Sequence, residues 1–155
     1  MAKKFRFRLE AVEKLRRVKE QEALRVLAHA QAKYQEALNH KISLLNELER
    51  SLLRRENLAS TTGSIALDFQ MENSFILGTN QRIVQADHGI LRARKTLEKA
   101  LRDLLTARRA LKTIETLREK AFAEFKREIK KREQKTLEEI YVTRFSSELH
   151  QEIAS

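Results

Sequence analysis

The sequence predicts an all-α protein, folded as a long antiparallel two-helix coiled-coil hairpin. Three observations carry that reading. The 155 residues are 35% charged and include no Pro, no Cys, no Trp and only three Gly, a composition of long exposed helix rather than of an ordinary globular core. The stretch FQMENSFILGTNQRIVQADHGI (69–90) holds two of those glycines, yet Phe69, Ile76, Ile83, Ile90, Leu97, Leu104 and Leu111 recur every seven residues straight through it. A flexible joint would not keep phase, so this is continuous helix. ASTTGS (59–64) is where weak helix formers and a glycine fall together, which makes it the turn.

Helix 1 is expected over 5–58. No helix breaker interrupts it, and Leu24, Leu27, Tyr34, Leu38, Leu45, Leu48 and Leu52 follow the three-, four- and seven-residue steps of one apolar stripe. The turn occupies 59–64, with Ser64 able to cap the helix that follows. Helix 2 is expected over 65–150. Gly78 and Gly89 lie off its stripe and each costs about 1 kcal/mol relative to Ala, which burial of the stripe outweighs. Arg118 breaks the seven-residue series before Phe125 resumes it. Three residues after most of the large side chains stands a small one, at Ala86, Ala93, Ala100, Ala107 and Ala121, with Ile114 the exception. Such a seam lets two helices approach closely. The whole of 1–155 reads as a single hairpin in which residue i lies opposite roughly 123 − i, as a short turn dictates.

The net charge is +10, which favours an acidic partner: nucleic acid, an anionic lipid surface or an acidic protein. Its distribution is uneven. Residues 1–60 carry 14 basic and 8 acidic side chains, 61–90 carry 1 and 3, and 91–155 carry 17 and 11, so positive charge gathers at the end bearing the termini. The opening MAKKFRFRLEAVEKLRR has no uninterrupted apolar core behind it, and no run of about 18 apolar residues occurs, so neither a signal peptide nor a membrane span is expected. With no Cys, disulfide and thiolate chemistry are closed and a reducing compartment is permitted.

No constellation of catalytic residues stands out. His29, His40, His88 and His150 are dispersed, without the spacing of a metal site, and the glycines form no phosphate-cradling loop. Catalytic, metal and cofactor-binding residues are therefore expected to be none, and the chain is not expected to be an enzyme. A nucleic-acid surface needs clustered cations, but FKREIKKREQK interleaves Glu124, Glu128 and Glu133 with them and stacking aromatics are few. A nucleic-acid-binding coiled coil stays as an alternative. Large apolar side chains off the stripes, Leu44, Leu53, Leu67, Phe75 and Leu77, suggest a docking patch near the turn, or else a widened seam. Phe5 and Phe7 either contact a partner or staple the N-terminus to helix 2.

The chain resembles the FliJ family, coiled-coil proteins of the bacterial flagellar type III export apparatus. The resemblance runs from FRFRLEAVEKLRRVKEQE, with Phe5, Phe7, Leu9, Val12 and Leu15, through the Phe75–Ile76 pair, to FKREIKKREQKTLEEIYVTRF. In the last segment Glu133, Gln134, Lys135, Leu137 and Glu139 fall where the family tends to have Glu-Gln-Lys-x-Leu-Asp-Glu, with Glu138 in place of the usual Asp. The resemblance implies a non-enzymatic, cytoplasmic, stalk-like hairpin, peripheral to the inner membrane through its protein partners. It implies binding to the ring of the export ATPase FliI, to the export-gate protein FlhA and to export chaperones, with no nucleic acid. By family correspondence, Phe5, Phe7, Arg16, Arg17, Arg127 and Lys131 would meet the ATPase, and His40, Leu44 and Phe75 the gate. The equivalent protein of an injectisome is a second alternative within this class.

Overall fold

A computed structural model describes residues 3–61, 63 and 65–155. Two helices, α1 (Glu10–Ser60) and α2 (Ala66–Ala154), account for nearly all of them and pack against each other in an antiparallel hairpin. Among the described residues there is no strand. α2 runs 89 residues without interruption, so Gly78 and Gly89 do not break it. A Cβ built on either would meet nothing within 4 Å. Gly78→Ala and Gly89→Ala are therefore each expected to raise stability by about 1 kcal/mol, through the lost conformational freedom of the unfolded chain. Thermal unfolding followed by circular dichroism reads this directly, and a fall in Tm for either variant would contradict it.

α1 ends at Ser60, two residues beyond the expected 58. The hydroxyls of Ser60 and Thr61 donate to the Asn57 carbonyl oxygen at 3.0 and 2.7 Å, satisfying an acceptor that the helix end leaves open. Gly63 has φ +98°, a left-handed conformation that glycine adopts without strain. Ser64, the expected cap, lies outside the described residues. Asp68 in the first turn of α2 faces the positive end of that helix dipole.

The other end of α1 departs from the sequence expectation. Helix 1 begins at Glu10, not Phe5. Residues 3–7 are non-helical, with Phe5, Phe7 and Leu9 half-buried and Lys4, Arg6 and Arg8 exposed. That alternation suits extended, non-helical backbone over 3–7, in which every second side chain points one way, before a turn at 8–9 leads into α1.

The helix pairing is shifted from 123 − i. The ion pairs Arg108–Glu20 and Lys41–Asp87 place residue i opposite 128 − i. The helices stop at Ser60 and restart at Ala66, so the fold centre lies two or three residues later than residue 61.

Contacts divide the chain into a terminal unit, Met1–Val18 with Arg109–Ser155, and a tip unit, Lys19–Arg108. In the tip unit Ala30, Leu44, Ile76, Ala86, Ala100 and Leu104 are buried. Its seam on α2 follows the expected seven-residue series from Ile76 onward, with Thr79 fully buried beside it. Phe69, assigned to that series on sequence grounds, is 37% exposed because it lies across from the end of α1. On α1 the seam runs through Ala23, Leu27, Ala30, Tyr34 and Ala37, then Lys41, Leu44, Leu48 and Ser51, alternating steps of three and four. Leu24, Leu45 and Leu52, assigned to the stripe on sequence grounds, are 38%, 43% and 39% exposed. In the terminal unit the core is Leu111 and Ile114, with Glu13 buried beside them in the seam.

Candidate docking surfaces

In the terminal unit the N-terminal strap lies on α2. The Phe5 ring meets Phe122 edge-on at 5.1 Å and Phe125 at 5.5 Å, within the range of favourable aromatic pairs. Phe7 sits in the same groove, which Leu117 and Ala121 also line. Both phenylalanines thus act as staples of the strap. The Lys126 ammonium lies 4.6 Å from the Phe122 ring centre.

The four cations expected at this end divide into two kinds. Arg16 is half-buried, and its Nη1 donates to the Ala110 carbonyl oxygen at 2.7 Å. Arg17 pairs with Glu13 at 3.0 Å and approaches Glu115 at 3.9 Å. These two are tied into the hairpin and are not free steering charges. Arg127 and Lys131 are exposed and enter no ion pair among the described residues.

Arg118, the break in the α2 stripe, finds its reason here. Its Nη1 donates to Glu13 Oε2 at 2.8 Å, while Glu13 Oε1 accepts from Arg17. A buried carboxylate at a seam position of α1 is held by one guanidinium from each helix, so the basic interruption on α2 answers an acidic one on α1.

In the tip unit, the three residues expected at the gate have different environments. Leu44 is 3% exposed and belongs to the core, which corrects its assignment as an off-seam docking residue. It falls in the seam because Ala37, Leu44 and Ser51 follow at sevens, a series that the neighbouring leucines mask. His40 is exposed at the rim of a shallow groove with Ala37, Arg82, Gln85, Ala86 and Gly89. Phe75 is 39% exposed, with the Arg82 guanidinium 5.5 Å from its ring centre. Leu53, Leu67 and Leu77 are exposed and do not widen the seam.

Arg82 is the residue that sequence reasoning missed. It donates to the Thr79 hydroxyl at 3.2 Å, approaches Glu47 at 3.9 Å, covers one face of Phe75 and lines the His40 groove. The spacing Phe75, Thr79, Arg82 puts all three on one face of α2, which is the signal that could have found it. Nearer the turn, the buried Ser51 hydroxyl donates to Glu72, and Arg54 Nε lies 3.2 Å from the same carboxylate oxygen. The Ser51 hydrogen bond, then Arg54, holds the Glu72 carboxyl below its ordinary range against the opposing effect of desolvation.

Among the described residues no cluster of His, Asp or Glu is arranged to hold a metal, and no helix is long and apolar enough to cross a membrane. The class so defined is an all-α, antiparallel two-helix hairpin. The chain belongs to the FliJ family: the family model described as Flagellar FliJ protein matches residues 5–149. It is accordingly a component of flagellar biogenesis and type III protein export. No curated protein and no solved structure matches it.

Proposed function

We propose that this chain is the non-enzymatic, stalk-like component that binds the ring of the export ATPase FliI with its terminal unit, promotes ring assembly and activity, and links the ring to FlhA and to export chaperones. It works in the cytoplasm, peripheral to the inner membrane through these protein partners. The observation that carries the reading is the division of labour among the terminal cations. Arg16 and Arg17 are used within the fold, whereas Arg127 and Lys131 are exposed and unpaired. Free cations on a stiff helix steer and orient an acidic partner. Arg16, Arg17, Phe5 and Phe7 support that surface by fixing α1 and the strap to α2. In the tip unit, Phe75 and His40, joined through Arg82, form the gate-binding strip, and Leu44 supports it from the core.

Arg127→Glu with Lys131→Glu is expected to cut stimulation of FliI ATP hydrolysis about tenfold at low salt, with helicity unchanged. Phe75→Ala is expected to weaken FlhA binding about tenfold while leaving stimulation intact, because it truncates a local anchor. Loss of both activities in both variants, with helicity preserved, would rule out two separate docking surfaces.

A further inference from the structure

The last part of α2 has no partner helix. Every residue from Lys130 to Ser155 is exposed, α1 begins only at Glu10, and the strap reaches Phe122 and Phe125. Yet the exposed segment is neither uniformly polar nor uniformly charged. Tyr141 is 74% and Phe145 59% exposed, with Leu137 and Leu149 at 67% and 42%. Residues 126–135 hold six basic and two acidic side chains, and residues 136–155 hold one and four.

Helix geometry brings these features onto one face. At about 100° per residue, positions 127, 131, 134, 138, 141, 145, 148 and 152 alternate steps of four and three and stay within about a third of the circumference. This stripe reads basic at Arg127 and Lys131, aromatic at Tyr141 and Phe145, and acidic at Glu148 and Glu152. It lies on the opposite side of α2 from Phe122 and Phe125, so the strap does not cover it. None of these four charges has an ion pair among the described residues.

We infer that this face pairs with the same face of a second copy of the chain, antiparallel, about a two-fold axis near Glu139 and Ile140. In that register Arg127 meets Glu152 and Lys131 meets Glu148, each twice by symmetry, while Tyr141 lies across from Glu138 beside the axis, near its own symmetry copy, and Phe145 lies across from Gln134. The pairing is self-complementary, which a two-fold interface requires, and it shelters apolar surface that the hairpin itself leaves open. An anionic bilayer fits the stripe poorly, because Glu138, Glu148 and Glu152 would face it.

The test is sedimentation equilibrium of the full chain. The wild type is expected to associate reversibly from 18.2 kDa to twice that mass at concentrations of about 100 μM, and at least about tenfold more weakly in 500 mM than in 50 mM salt. Arg127→Glu with Lys131→Glu makes both ends of the stripe acidic, and Glu148→Lys with Glu152→Lys makes both ends basic, with Glu138 beside the axis unchanged in each. Each variant alone is expected to self-associate at least about tenfold more weakly, whereas an equimolar mixture restores association, because every cross-pair is then of opposite sign. Circular dichroism of each variant checks that α2 remains helical. A monomeric wild type at about 200 μM, variants that self-associate like the wild type, or a mixture no better than its components would overturn the pairing. A monomeric wild type that floats with phosphatidylglycerol vesicles but not phosphatidylcholine vesicles would assign the face to lipid instead.

Discussion

Leu104→Asp is expected to melt much of the tip unit, lowering Tm by about 10 °C or more. Leu104 is 3% exposed, at the seven-residue series of α2, and the pairing register sets it across from the Ala23–Leu27 turn of α1. Removing the isobutyl group forfeits about 2–3 kcal/mol of burial. A carboxylate in its place must either ionise in an apolar seam or take up a proton, and each adds to the cost, for a total of about 4 kcal/mol or more. A 155-residue chain converts each 1 kcal/mol into about 2–4 °C of Tm. Alanine neighbours sharpen the effect, because Ala100 and Ala107 on the same seam bring the backbones close and leave no slack for water. Lys112→Asp, one residue after the buried Leu111 but exposed, should fall within about 0.5 kcal/mol of the wild type. Equal Tm for Leu104→Asp and the wild type would mean that the α2 seam is not the stabilising interface.

From Ile76 onward that seam is legible because its residues are large and recur at sevens, so phase reads through both glycines. Phe69, one step earlier, is exposed, and the buried Thr79 is too small and polar to stand out. α1 was legible as a helix but not in its facing. Its real seam passes through Ala23, Ala30 and Ala37 and includes Glu13, Arg16, Lys41 and Ser51, whereas the exposed Leu24, Leu45 and Leu52 run alongside and draw the eye. A hydrophobic count gives alanine little weight and scores a buried Glu13 against the seam. The knowledge that Glu13 is neutralised lies on α2, more than a hundred residues away, in Arg118. The same effect hides Leu44, whose seam neighbours Lys41 and Ser51 are polar. The pairing offset and the strap were hidden differently. The first depends on how many residues the turn leaves outside both helices, and the second on a period-two pattern only five residues long, too brief to stand out beside a helix of 51 residues.

The Glu13–Arg118 pair yields the last prediction, because it separates an interaction that stabilises from one that only avoids a penalty. Glu13 is 3% exposed and accepts from Arg118 and Arg17 at 2.8 and 3.0 Å. Glu13→Leu removes the carboxylate and leaves the Arg118 guanidinium at a seam position with no acceptor. The partner's side chain is 44% exposed, so water recovers part of its solvation, and the expected loss is about 1–3 kcal/mol rather than that of a fully buried orphan. Arg118→Leu alone leaves the less exposed carboxylate with Arg17 as its remaining partner and is expected to cost a similar amount. The double variant Glu13→Leu/Arg118→Leu extends the apolar series from Leu111 to Phe125 without interruption, and nothing charged is left unpaired at either position. It is expected to be at least as stable as the wild type, since apolar replacement of a buried pair is often neutral or favourable. Urea unfolding of the four proteins gives the coupling energy, which should be about 1 kcal/mol or more in favour of the matched states. A double variant whose loss equals the sum of the two single losses would show that the carboxylate and the guanidinium contribute independently, and that the break in the stripe answers to something other than Glu13.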